Sequence, residues 1–221
     1  MSGDYSISAE TQPARRKERV SYDRDAVHAV LDEALVCHVG FVVDGKPVVL
    51  PQLYARVDEQ LYLHGSSGAR ALHAARRGGL PVCVTVTLLD GLVLARSAFN
   101  HSINYRSVVI HGRAEQVTDQ AAKQAALASL VDAVVPGRSA EVRGPSRKEL
   151  MATTVLRLPL EHVSLKVRTG PPTDDDSDLQ LPYWAGVLPL PASTPAKPQP
   201  APNLSPAIPV PDHVTHWSRP T

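Results

Sequence analysis

The sequence predicts a mainly β fold of the α+β class: an antiparallel barrel with a few peripheral helices. Three observations carry this. Runs such as Val82-Cys83-Val84-Thr85-Val86-Thr87 have strand length and the β-branched composition of a buried strand. Asp-Gly pairs at Asp44-Gly45 and Asp90-Gly91 are strong signals for two-residue hairpin turns. Helical stretches are few and are set between the strands.

In chain order, Asp23 or Ser21 caps a helix over Asp25–Ala34 that presents Val27, Val30, Leu31 and Ala34 on one face. Leu35 to Val43 and Val48 to Tyr54 are partner strands around Asp44-Gly45, and Pro51 inside the second marks an edge or a bulge. A turn at Asp58-Glu59 leads into the strand Leu61–His64, with Tyr62 and His64 on one face. Gly65 to Gly68 forms a corner, and a helix follows from about Ser67 to Arg77. Pro81–Leu89 is a strand, Asp90-Gly91 a second hairpin turn, and Leu92–Ser97 the return strand. Tyr105–Val117 is a long strand in which Gly112 marks a bulge. Thr118 or Asp119 caps a helix over Ala121–Val134, and Ser146 with Glu149 has capping-box spacing for a helix to Ala152. Val155–Leu158 and Val163–Arg168 close the set of strands.

Composition bounds the rest. A chain of 221 residues holds one substantial domain plus tails. A net charge of +1 gives no field that would draw nucleic acid or an acidic membrane, so neither partner is expected. Cys37 and Cys83 lie in apolar runs and read as buried thiols. The polar start lacks the apolar core of a signal peptide, and no apolar run is long enough to cross a bilayer, so a cytoplasmic location is expected. Prolines crowd the end of the chain and prevent regular structure there. The expected organisation is a disordered arm over 1–19, the β domain over 20–190 and a proline-rich disordered tail over 191–221.

The stretch Leu61-Tyr62-Leu63-His64-Gly65-Ser66-Ser67-Gly68-Ala69-Arg70 points to chemistry. Strand, Gly/Ser corner and helix start would offer a phosphate backbone N–H groups, a hydroxyl and the Arg70 guanidinium. No metal-ligand spacing, nucleophile elbow, Walker A loop or dinucleotide fingerprint is present. Polar residues inside apolar strands remain: Tyr54, His64, Thr85, Thr87, Asn104, Tyr105, Arg106 and Ser107. Together they can line a groove with phosphate donors at one end and hydrogen-bonding groups for a planar heterocycle at the other.

Taken in order, Pro51-x-x-Tyr54, Leu61 to Ser66, Val82 to Thr87, Asp90 to Arg96 and Asn104 to Gly112 resemble the pyridoxamine 5′-phosphate oxidase-like family. Leu181-Pro182-x-Trp184-Ala185-Gly186 resembles the closing motif of its nitroimidazole-resistance (NimA-like) flavoprotein branch. The resemblance implies a split β-barrel homodimer with FMN in a groove at the subunit interface, working as a flavin-dependent oxidoreductase on a small, electron-poor substrate such as a nitroaromatic. By position it implies that Ser66, Ser67 and Arg70 hold the phosphate. Leu50, Leu63 and His64 would line the flavin, with Thr85 and Thr87 as strand contacts. Tyr105, Arg106 and Ser107 would approach the groove, and Trp184 would cover the ring. His64 would be the catalytic proton donor, or simply shape the pocket. The basic residue that pyridoxamine phosphate oxidases proper place on an earlier strand has no match here, so vitamin B6 oxidation is not implied. The alternatives are a non-enzymatic flavin-nucleotide-binding protein, or a split barrel holding haem or F420. Haem would require an axial ligand among His64, His101 and His111.

Overall fold

The computed structural model describes residues 3–66, 78–190, 197–202, 204–205 and 207–218. In chain order the elements are β1 (Val20–Ser21), α1 (Arg24–Glu33), β2 (Val36–Val43), β3 (Lys46–Val57), β4 (Gln60–Ser66), β5 (Leu80–Leu94) and β6 (Ser102–Gln116). There follow α2 (Gln120–Val134), α3 (Arg147–Ala152), β7 (Thr153–Pro159), β8 (His162–Arg168), β9 (Gly186–Pro189) and α4 (Asp212–Thr215). The chain divides into two units, and β5 and β6 contribute to both. The predicted helix over 67–77 lies outside the described residues.

The first unit spans Met1–Ala34, Thr85–His111 and Glu161–Ala192. Asp23 caps α1 by accepting the Ala26 N–H at 2.7 Å, which satisfies one of the free donors at the helix start. The helix buries Val27, Val30 and Leu31. β8 lies between β1 and β6, antiparallel to both, with Tyr105 opposite Arg168 and His111 opposite His162. The arm expected to be disordered is packed in part: Tyr5 is buried, its hydroxyl is 3.0 Å from His28 Nε2, and the Arg24 guanidinium lies over its ring. An aromatic ring with two such partners is better placed on the domain than in water.

Asp90-Gly91 is not a hairpin. β5 runs straight through it to Leu94 and pairs with β9, Gly91 opposite Pro189. A Cβ on Gly91 would lie 3.1 Å from the Leu188 carbonyl oxygen, so the glycine allows a neighbouring backbone to come close rather than making a turn. The Asp90 carboxylate is engaged by Arg106 instead of closing a turn.

The second unit spans Leu35–Val84, Gly112–Leu160 and Ser193–Thr221. Asp44 and Gly45 take φ of 50° and 73°, the pair of positive values that closes a tight hairpin, and join β2 to β3 in the predicted register. Pro51 sits opposite His38 of β2, while pairing of β3 with β4 begins only at Tyr54. The proline thus occupies a stretch of β3 that has no β4 partner, as its missing N–H requires. β4 continues onto β7, from Gln60 opposite Pro159 to Ser66 opposite Thr153. The core of this unit is built on Cys37, Tyr54, Leu61, Leu63, Val155 and Leu158. Gly112 lies where β6 leaves β8 and turns to β7, its side facing Leu158.

The tail was expected to be disordered, yet within its described residues it forms α4, and Trp217 donates its indole N–H to the Val134 carbonyl at 2.6 Å. The last carbonyls of a helix have no internal donor, and an indole N–H nearby satisfies one of them. Among the described residues no helix is long and apolar enough to cross a membrane.

Two outcomes follow from this packing. Gly112→Ala would place a methyl 2.8 Å from Cδ1 of the fully buried Leu158, which would have to shift. It should cost about 1–3 kcal/mol, measured as a lower denaturation midpoint with unchanged slope. Burial pushes the Cys37 thiol up to about 12. The native thiol should therefore resist iodoacetamide at pH 8, while the unfolded chain reacts. A folded-state pKa above the unfolded one stabilises at neutral pH, and that contribution should fall away as pH rises from about 9 towards about 12.

Candidate functional site

The site is attached to β4. Strand pairing on both of its edges fixes the register, and alternation then places Leu61 and Leu63 in the core and His64 on the exposed face. The His64 imidazole has no hydrogen-bond partner among the described residues.

Three openings meet at that ring. A cleft of about 110 Å³ is walled by Phe41, Leu50, Leu63 and Leu156. A groove of about 360 Å³ runs from His64 and Leu53 along Leu127, Val131 and Val134 of α2 to Arg138. A third opening of about 440 Å³ continues past Ser139 and Arg143 to Glu149. The second and third are of the size in which small-molecule and cofactor sites are found. The α2 helix supplies the groove wall because it carries two apolar stripes. Ala126 and Leu130 are buried, Lys123 beside them donates its Nζ to the Leu150 carbonyl at 2.6 Å, and Leu127, Val131 and Val134 are left facing the groove.

The rim is polar and fixed. Asp132 accepts the Ser139 N–H at 2.7 Å and its hydroxyl at 2.6 Å, and Gly137 at φ 82° lets the chain turn there. Arg143 donates to both Glu149 oxygens, at 2.7 and 2.8 Å, and these bonds hold the Glu149 carboxyl well below the usual carboxylate range. Glu149 also completes the capping box with Ser146 at the start of α3, as the spacing predicts. Arg138 is held less firmly: its nearest carboxylate among the described residues is Glu141, at 3.7 Å.

Leu50, Leu63 and His64 converge on the first cleft. Gly65 and Ser66 are still strand, opposite Thr154 and Thr153, so no tight corner falls on them. Ser67 and Arg70 lie outside the described residues. The other predicted positions belong to the first unit. There Thr85 is half-buried, and the Thr87 and Ser107 hydroxyls are hydrogen-bonded to each other at 2.9 Å. Tyr105 is half-buried opposite Arg168.

Arg106 does not offer a free charge. Its guanidinium donates to Asp90 at 2.8 and 3.1 Å and to both oxygens of Glu33, and the hydrogen bonds to Asp90 and then to Glu33 raise its pKa further. Trp184 is exposed, and its ring lies over Gly186, where a Cβ would come within 2.8 Å. The His101 Nδ1 lies 2.9 Å from the Ser97 carbonyl, and His111 is opposite His162; neither lines the three openings. Among the described residues no three His, Cys, Asp or Glu side chains cluster as a metal site.

Sequence reasoning missed the α2 wall and Arg138. The signal was present: Leu127, Val131 and Val134 recur at helical spacing beside the buried stripe, which marks a second apolar face.

Residues 23–167 match the pyridoxamine 5′-phosphate oxidase family. The chain belongs to that family. Its fold is the mainly antiparallel, split-barrel class that the sequence predicts. The flavocytochrome Anf3 of Azotobacter vinelandii is 40% identical, with a TM-score of 0.88, 94% of this chain covered and 95% of that one. An FAD- and haem-binding protein of Mycobacterium smegmatis is also 40% identical, with a TM-score of 0.83 over 89% of this chain and 95% of that one. A candidate 5-nitroimidazole antibiotic resistance protein of Bacteroides thetaiotaomicron shares the fold at 23% identity and a TM-score of 0.56, over 67% of this chain and 86% of that one. No protein of curated function matches the chain.

Arg106→Met would leave the Glu33 and Asp90 carboxylates without their shared cation. It should destabilise the folded protein by about 2 kcal/mol, seen in urea unfolding without any added ligand.

Proposed function

We propose that this protein is a flavin- and haem-binding redox protein, and that the groove between β4 and α2 would hold the haem with His64 binding its iron. The observation that carries this is the donor set around His64. One imidazole without a described partner faces an opening walled by Leu53, Leu127, Val131 and Val134, with a guanidinium at the rim. An apolar slot with one nitrogen ligand and a cation at its edge fits a flat, hydrophobic, dianionic porphyrin. The two relatives at 40% identity, one a flavocytochrome and the other an FAD- and haem-binding protein, support the same pairing.

By the same support the flavin is FAD, rather than the FMN that the family resemblance implies. Leu50 and Leu63 would pack against it, and the family resemblance assigns its phosphates to Ser66, Ser67 and Arg70. A bound flavin would exchange electrons in pairs or singly and a haem would exchange them singly, so the two together would couple a two-electron donor to one-electron transfer. The chain's own residues would bind and orient: the α2 wall would exclude water, His64 would bind the iron through an imidazole nitrogen, and the rim would hold charge at the mouth. The exposed valines of the β2–β3 hairpin, Val42 and Val49, offer an apolar face for the second copy that a homodimer requires. The substrate would then be a small acceptor or donor of electrons.

An absorbance spectrum of the full-length protein, purified from cells supplied with haem, tests this. It should show a Soret band together with flavin bands. His64→Ala should weaken haem retention by more than about a hundredfold, since even outer-shell partners of a metal ligand are worth up to that much. Flavin content should be retained. A protein that carries flavin alone, or a Soret band untouched in His64→Ala, would overturn the assignment.

A further inference from the structure

We propose that Arg138 is the carboxylate anchor of the His64 groove, and that the C-terminal segment positions it by engaging Glu141. The inference rests on the haem assignment above and adds to it the residues that select the ligand's acidic edge.

Two arginines stand at the rim, and their surroundings separate them. Arg143 is saturated: both ends of its fork meet Glu149, and one also meets the Gly144 carbonyl at 3.1 Å. Displacing Glu149 would also break the α3 capping box. Arg138 lines the same groove as His64 and has Glu141 at 3.7 Å, longer than a hydrogen bond, with its side chain 39% exposed. A guanidinium at the mouth of an apolar slot, with its fork not closed by a carboxylate, is suited to bidentate binding of an incoming one. Its place is fixed by the Asp132–Ser139 pair in the same turn.

Glu141 is the natural competitor for that fork, and the tail reaches it. His213 of α4 lies 3.2 Å from Glu141, closer than Arg138 does, and it is mostly buried. The tail is held there by the Trp217 bond to the Val134 carbonyl, at the end of the helix that forms the groove wall. Among the described residues the His213 Nε2 is buried without a hydrogen-bond partner, and Glu141 is the carboxylate that the ring meets. His213 meets Oε1 of Glu141 while Arg138 faces Oε2; by holding the carboxylate from that side, His213 keeps it short of a hydrogen bond with Arg138 and leaves the fork open towards the groove.

The test is a titration of the full-length protein, freed of haem, with ferric protoporphyrin and separately with its dimethyl ester, followed by the Soret band. The wild type should bind the free acid about tenfold more tightly than the ester, the size expected for one charge-assisted bond at a partly exposed site. Arg138→Gln should bind both at the ester's affinity, and Arg138→Lys should keep part of the preference. His213→Ala should reduce the preference by releasing Glu141 onto Arg138, and adding Glu141→Gln to it should restore the preference. A purely structural role for His213 would not be rescued in this way. A tenfold preference that persists in Arg138→Gln would overturn the anchor. An unchanged preference in His213→Ala would overturn the positioning role. Failure of the wild type to bind either porphyrin would overturn the haem assignment, and this inference with it.

Discussion

The register of β4 is the constraint on which the site depends. The strand is hydrogen-bonded along both edges, to β3 from Tyr54 and to β7 as far as Thr153. A slip of one residue would bury His64 and expose Leu61 and Leu63, which are essentially inaccessible in the fold. Burial of those leucines therefore holds the imidazole outward. The histidine needs no hydrogen bond of its own to stay in place, and its nitrogen is left available for a ligand.

The walls around that ring come from elements with different tasks. β2 and β3 carry Phe41, Leu50 and Leu53, and Pro51 keeps part of β3 unpaired by β4. The α2 helix is fastened by its buried face and by the Lys123 contact with the Leu150 carbonyl, which also secures α3. Its second apolar face has no such duty and forms the groove. A surface helix that buried all its apolar residues would leave no lining, and one with a polar second face would fill the groove with water.

Charge is distributed by a similar division. In the first unit Arg106 ties α1, β5 and β6 together through Glu33 and Asp90, a structural use of a residue that sequence position marks for ligand contact. Thr87 and Ser107 satisfy each other, as polar groups on neighbouring strands commonly do. At the rim of the second unit, Arg143 and Glu149 neutralise one another and hold a helix start. The groove keeps the cation that the scaffold uses least.

Local chemistry made much of this legible from sequence alone. Capping by Asp23, the capping box of Ser146 and Glu149, the Asp44-Gly45 hairpin and the alternation of β4 are each determined within a few residues by hydrogen-bond needs and side-chain periodicity. The family resemblance, carried by motifs in order, names Leu50, Leu63 and His64, and these three line one cleft. Tertiary structure alone decided the rest. Whether Asp90-Gly91 turns or runs straight depends on Arg106 and on β9, a strand from far along the chain that needs the space a glycine leaves. Whether Arg106 is free depends on Glu33, and whether the tail is loose depends on a carbonyl at the end of α2. A partner distant in sequence leaves no local signature, because its effect is a contact free energy that exists only once the chain has folded.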